Sequence, residues 1–132
     1  MNNRYSAYLI RFSAVFALIG AFLGSHMAGS GGYQFKTIHA HILVVGWLSL
    51  FSWAVYYKLF FTGKSVLALL HTWTAIIGSI GLTLGMWLYY LNPLEMTKSI
   101  ITVVFIVGGS TMLLSFLLFA ILVFIPTSNK KM

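Results

Sequence analysis

Residues 37–61 read TIHAHILVVGWLSLFSWAVYYKLFF, and Lys58 is the only residue in this stretch with a permanently charged side chain. A helix of this length rises about 37 Å, more than the roughly 30 Å hydrocarbon core of a bilayer. Short loops separate it from three further apolar segments, at residues 6–27, 66–91 and 99–126. We therefore expect an all-α membrane protein whose whole chain forms one four-helix transmembrane domain.

The overall composition also indicates a membrane protein. The 132 residues are 60% hydrophobic and 7% charged, whereas soluble domains carry about 25% charged residues. The absence of cysteine excludes disulfide frameworks, Fe–S clusters, thiolate zinc sites and c-type haem attachment. Glu95 is the only acidic side chain, so paired-carboxylate hydrolysis and Ser-His-Asp catalysis are excluded as well.

Basic residues are distributed unevenly between the two membrane faces. With four spans, both termini and the second loop share one face, which the rule of positive charge inside places in the cytoplasm. We therefore expect an inner-membrane protein, and the formal charge of +7 predicts anionic lipid rather than nucleic acid as its partner. The cytoplasmic face would hold Arg4, Arg11, Lys58, Lys64, Lys130 and Lys131, and the outer face Lys36, Lys98 and Glu95.

The four histidines fall at two depths. His26 ends the first span, and His39 and His41 begin the second, so these three share the outer face. His71 lies near the inner face, roughly 20 Å away by helical rise, too far to share one metal ion with them. A single histidine near a membrane surface is often only hydrogen-bonded, and we expect a structural role for His71.

His39 and His41 are candidate ligands on opposite sides of one helix. Residues two apart differ by about 200° around a regular helix, so this pair would serve two sites rather than hold one ion together. Imidazole binds both haem iron and copper, and the apolar haem macrocycle suits a membrane interior. Gly46 and Trp47 follow, with roles that we predict to be structural. Either close helix packing or room for a flat ring would explain Gly78, Gly81 and Gly85.

The second and third spans resemble two consecutive helices of haem-copper oxidase subunit I. Residues 37–47, TIHAHILVVGW, and residues 70–73, LHTW, are most similar to the tenth and eleventh helices of the cbb-type branch. Residues 23–30, LGSHMAGS, resemble the segment that precedes this motif in small four-span relatives of that subunit. The resemblance covers about residues 20–90.

This resemblance implies that His39 and His41 are axial ligands of haem b, since the two histidines of the family motif ligate the high-spin and the low-spin haem. Lys36 and His26 would then lie beside the outward-pointing haem propionates, and His71 would not be a ligand. The family subunit has about twelve helices in three arcs, with further histidines for copper that have no counterpart here. We expect electron transfer, haem handling or gas sensing, with an unidentified redox partner, rather than a complete oxidase.

A homotrimer would restore a ring of twelve helices with equivalent interfaces. His41 of one protomer and His39 of its neighbour would then face the same pore and bind one haem between them.

Two alternatives do not involve haem. His26, Met27, His39 and His41 would lie within about 15 Å of one another on the outer face, and mixed imidazole and thioether ligands suit copper. Alternatively, the chain is a structural or assembly subunit without a cofactor, in which the histidines only form hydrogen bonds at the membrane surface.

Overall fold

The computed structural model describes residues 3–124, which form four long helices joined by short loops. Each helix is long and apolar enough to cross a membrane, which confirms the predicted all-α chain with four spans. Residues 125–126 of the predicted fourth span, and Lys130 and Lys131, lie outside the described residues. The helices are α1 (Arg4–Ser30), α2 (Lys36–Leu59), α3 (Val66–Leu91) and α4 (Lys98–Phe124).

Helix α1 extends beyond the predicted residues 6–27 at both ends. Its first turn is capped by Asn3, whose side-chain oxygen accepts a hydrogen bond of 3.1 Å from the backbone N–H of Tyr5. The Asn3 amide also donates to the carbonyl of Tyr57, which ties the start of α1 to the end of α2. Gly31 ends α1 in the left-handed conformation, with φ of 68°, where glycine carries no steric penalty.

The middle of α2 is not a regular α-helix. Ile42–Ser49 forms a π-helix that begins directly after His41. The wider turn alters the backbone hydrogen-bond pattern, and the hydroxyl of Ser13 on α1 donates to the carbonyl of Trp47 at 3.1 Å. π-Helical turns are rare and occur frequently at functional sites. The sequence did not predict this segment.

Two glycines let α1 and α2 approach closely. A Cβ atom on Gly20 would lie 2.3 Å from Leu43 Cδ2, and one on Gly46 would lie 2.2 Å from Phe16 Cδ1. Both distances are too short for a real contact, so each position requires glycine while its neighbour stays in place. Trp47, the residue after Gly46, is exposed on the outer surface of this hairpin.

Glycines also form the contact between α3 and α4. A Cβ atom on Gly108 would lie 2.3 Å from the carbonyl carbon of Gly81. Gly78 and Gly85 face the α4 backbone in the same way, since their Cβ atoms would lie 2.6 and 2.7 Å from it. Backbone atoms of α4 therefore occupy the space beside Gly78, Gly81 and Gly85. These glycines allow close helix packing and do not leave room for a flat ring.

The two hairpins, α1–α2 and α3–α4, pack together around α3, which contacts both α1 and α2 as well as α4. Their shared core includes Trp53 of α2, whose ring contacts Phe116 and Phe119 of α4. Neighbouring helices alternate in direction, so the bundle has two chemically distinct ends. We call the end with Arg4, Lys58 and Lys64 the basic end, and the end with His26, His39 and His41 the histidine end.

We predict that Gly108→Ala lowers the stability of the α3–α4 hairpin by about 1–3 kcal/mol, because the added methyl group collides with backbone atoms. Gly109→Ala is the matched control, since its Cβ would lie at an ordinary 3.6 Å from Leu82 Cδ1. Thermal unfolding in detergent, followed by circular dichroism, measures the difference. Equal stability of Gly108→Ala and the unaltered protein would contradict the close approach.

Candidate functional site

His39 lies in the first turns of α2 and packs against α1. Its Nδ1 atom is 2.9 Å from the carbonyl oxygen of Gly20. A carbonyl can only accept, so this contact requires the hydrogen of the neutral ring on Nδ1 and leaves the lone pair on Nε2. The half-buried ring lies beside Gly24, where an added Cβ would come within 2.9 Å of His39 Cε1. Glycine at position 24 thus makes room for the imidazole.

His41 has the same tautomer but a different partner. Its Nδ1 atom is 2.9 Å from the carbonyl oxygen of Thr37, one turn earlier in the same helix. The ring is half-buried, and the hydrogen bond again leaves the lone pair on Nε2. A backbone carbonyl on Nδ1 is one of the common arrangements in histidines that ligate a metal, because it fixes both the tautomer and the ring orientation.

The two imidazoles present separate ligand atoms. The ring of His39 is bonded to α1, whereas the ring of His41 is bonded to its own helix. Within residues 3–124, no three or more His, Asp or Glu side chains are grouped so that they could hold a metal ion. Because each ring has Nδ1 beside a backbone carbonyl, each offers one Nε2 atom, which suits a cofactor that needs only axial ligands from the protein.

The other predicted site residues also lie at the histidine end, with different exposure. His26 is exposed, and its ring stacks on Phe22 with centroids 6.5 Å apart. Lys36 is exposed at the start of α2, whereas Met27 is 8% exposed and belongs to the core. The exposed side chains of His26 and Lys36 are accessible to a charged group of a ligand, whereas the Met27 thioether is buried in the core.

An apolar groove of about 220 Å³ opens near the histidine end between α1, α2 and α3. Ile38 and Ile42, which flank the two candidate ligands in sequence, line one wall, and Trp87 of α3 lies on another. The surface of this groove suits a hydrophobic group rather than a polar one.

His71 belongs to a second, fully buried cluster. Its Nδ1 atom lies 2.8 Å from the Tyr57 hydroxyl, and Trp53 packs edge-to-face against its ring with centroids 4.7 Å apart. The Tyr57 hydroxyl is also 3.3 Å from the carbonyl oxygen of Ala68, so it can donate to either acceptor. The Nε2 atom of His71 has no hydrogen-bond partner among the described residues.

Sequence reasoning did not identify the pairing of Tyr57 with His71, although one signal was present. Both residues lie seven positions from Lys64, in the α2–α3 loop, so an antiparallel hairpin brings them to the same depth. By helical rise, Tyr57 lies about 24 Å along α2 from His41. The buried cluster and the outer histidines are thus two separate features of the molecule.

Comparison of the chain with protein-family models, with curated proteins and with solved structures finds no match.

We predict that Tyr57→Phe lowers stability by about 1 kcal/mol, because the buried His71 loses its hydrogen-bond partner. Tyr56→Phe is the matched control, since the Tyr56 ring packs at 5.1 Å on Phe119 of α4, a residue that also contacts the His71 ring. Chemical unfolding in mixed micelles gives both values. A loss that is as large for Tyr56→Phe as for Tyr57→Phe would contradict a specific role of the buried hydroxyl.

Proposed function

We propose that this chain is an integral membrane protein that binds haem b through Nε2 of His39 and Nε2 of His41. One observation carries the proposal: each ring has Nδ1 at 2.9 Å from a backbone carbonyl. Both Nε2 atoms therefore hold a lone pair and have a fixed direction before any ligand binds. The resemblance of residues 37–47 to haem-copper oxidase subunit I, in which two histidines at this spacing ligate haem, supports the same assignment.

The residues around His39 and His41 have different proposed roles. The carbonyls of Gly20 and Thr37 hold the two rings, and Lys36 and His26 can pair with the propionate carboxylates from the exposed surface. Bound haem supplies an iron that can carry one electron, and that can bind a diatomic gas where one axial position is free. Electron transfer, haem handling or gas sensing therefore fits the chain better than complete oxygen reduction, because the family's copper-binding histidines have no counterpart in the sequence.

A homotrimer gives each haem its second ligand. The rings of His39 and His41 donate hydrogen bonds to different helices, so we propose that His41 of one protomer and His39 of the next bind the same haem. Three copies would supply twelve helices. In support, α1 and α4 have the most exposed apolar windows of the four helices, each with only 22% of its residues buried within the chain.

We also propose an orientation in the inner membrane. Arg4, Lys58 and Lys64 lie at the basic end, and this excess of positive charge supports a cytoplasmic location for that end and for the N-terminus. The histidine end would then face outward, where Lys36 is the nearest cation to the ligand pair in sequence. A redox partner would have to approach the haem from that side or within the membrane.

The test is the absorption spectrum and metal content of protein purified after expression with added haem and copper. We predict a Soret band with low-spin iron, lost in His41→Ala and His39→Ala. Iron that is only five-coordinate and high-spin would contradict bis-histidine ligation. A colourless protein with stoichiometric copper would favour the copper alternative, and a protein without cofactor would favour the structural one.

The control for these variants is His71→Ala. We predict that this change lowers stability and leaves the spectrum of the folded protein unchanged, because His71 pairs with Tyr57, which lies about 24 Å from His41 along α2. Haem loss in His71→Ala, measured per amount of folded protein, would place the site at the buried cluster instead.

Two glycines of α1 allow a test of how the His39 ring packs against that helix. We predict that Gly24→Ala weakens haem binding or shifts its spectrum, because the added Cβ would lie 2.9 Å from His39 Cε1. Gly29→Ala is the matched control on the same helix, with no atom within 4 Å of its Cβ. Haem titration of both variants measures the effect, and identical affinities and spectra would contradict the assignment of His39.

A further inference from the structure

A second groove lies at the basic end, between the start of α1 and the end of α2, and the proposed haem site does not use it. Its volume is about 400 Å³. The residues that form it include Ser6, Ala7, Ile10, Ala54, Val55 and Lys58.

Polarity changes along this groove in the direction of the membrane normal. Because α1 begins and α2 ends at the basic end, Ser6 and Lys58 lie near the mouth of the groove, at the level of the lipid headgroups. Ile10 and Ala54 lie about one turn further into the membrane, at the level of the acyl chains. The groove therefore has a polar mouth and an apolar interior, the same order as a phospholipid.

Charge at the mouth favours an anion. Lys58 is exposed there, and the exposed Arg4 and Lys64 lie at the same end of the bundle. Glu95, the only acidic side chain of the sequence, lies beyond α3 at the opposite end. The Asn3 amide at the mouth is already bonded to the Tyr57 carbonyl.

We propose that this groove binds an anionic phospholipid. Its phosphate accepts hydrogen bonds from the Lys58 ammonium and the Ser6 hydroxyl, and one acyl chain lies along Ala7, Ile10 and Val55. Apolar walls below the mouth provide contact area for an acyl chain. A free phosphate ion has no acyl chain and cannot make this contact. The site is independent of haem, because its residues lie at the end of α2 opposite to His39 and His41.

Native mass spectrometry of the full chain in a non-ionic detergent tests this site with phosphatidylglycerol and phosphatidylcholine of identical acyl chains. We predict that phosphatidylglycerol binds more tightly and that Lys58→Gln weakens its binding about fivefold, the effect of one cation at a membrane surface. Lys64→Gln is the matched control, since Lys64 lies at the same end but not in the groove, and it should change affinity less than twofold. Equal losses in the two variants would show attraction by general charge and overturn the site.

A second variant tests the groove itself. Ala7→Phe fills the apolar part without altering charge, and we predict that phosphatidylglycerol binding then falls at least as much as in Lys58→Gln. Circular dichroism verifies that the helices remain. Unchanged lipid affinity in Ala7→Phe would overturn the proposal, as would glycerol phosphate competing as well as the whole lipid, since a headgroup alone would then account for binding.

Discussion

Close contact between α1 and α2 is the constraint on which the histidine end depends. Gly20 and Gly46 have no side chain, so Leu43 and Phe16 can occupy space that a Cβ atom would fill. At this separation the Gly20 carbonyl reaches Nδ1 of His39. One feature thus determines both the packing of the hairpin and the direction of a candidate ligand. Within a bilayer, where burial of apolar surface drives little helix association, such van der Waals contact is a main source of stability.

The four spans could be predicted from the sequence because apolar length alone determines them. Helical geometry predicts opposite sides of α2 for His39 and His41, and in the structure their rings are hydrogen-bonded to different helices. The π-helix of Ile42–Ser49 could not be predicted, since its apolar, partly β-branched run fits either kind of helix. The carbonyl partners of the imidazoles depend on how α1 packs on α2, which local sequence does not specify. Residue 57 meets residue 71 only through the register of the α2–α3 hairpin.

Three structural features lie in different parts of one short bundle. The histidine end offers two oriented ligand atoms, and the glycine contacts of α3 and α4 hold the second hairpin together. The basic end has a groove with a cationic mouth. The buried His71 connects α3 to α2 through the Tyr57 hydroxyl, at the depth of the basic end and far from the histidine end. Each of these features is built with few polar side chains, in a sequence of which 7% is charged.

Haem ligation between subunits can be tested by a cryo-electron-microscopy map of the haem-supplemented protein in lipid nanodiscs. We predict three equivalent subunits, with a haem at each interface that is bound by Nε2 of His41 in one subunit and Nε2 of His39 in the next. A map in which both Nε2 atoms are bonded to protein groups, or in which haem binds at other residues, would contradict this prediction.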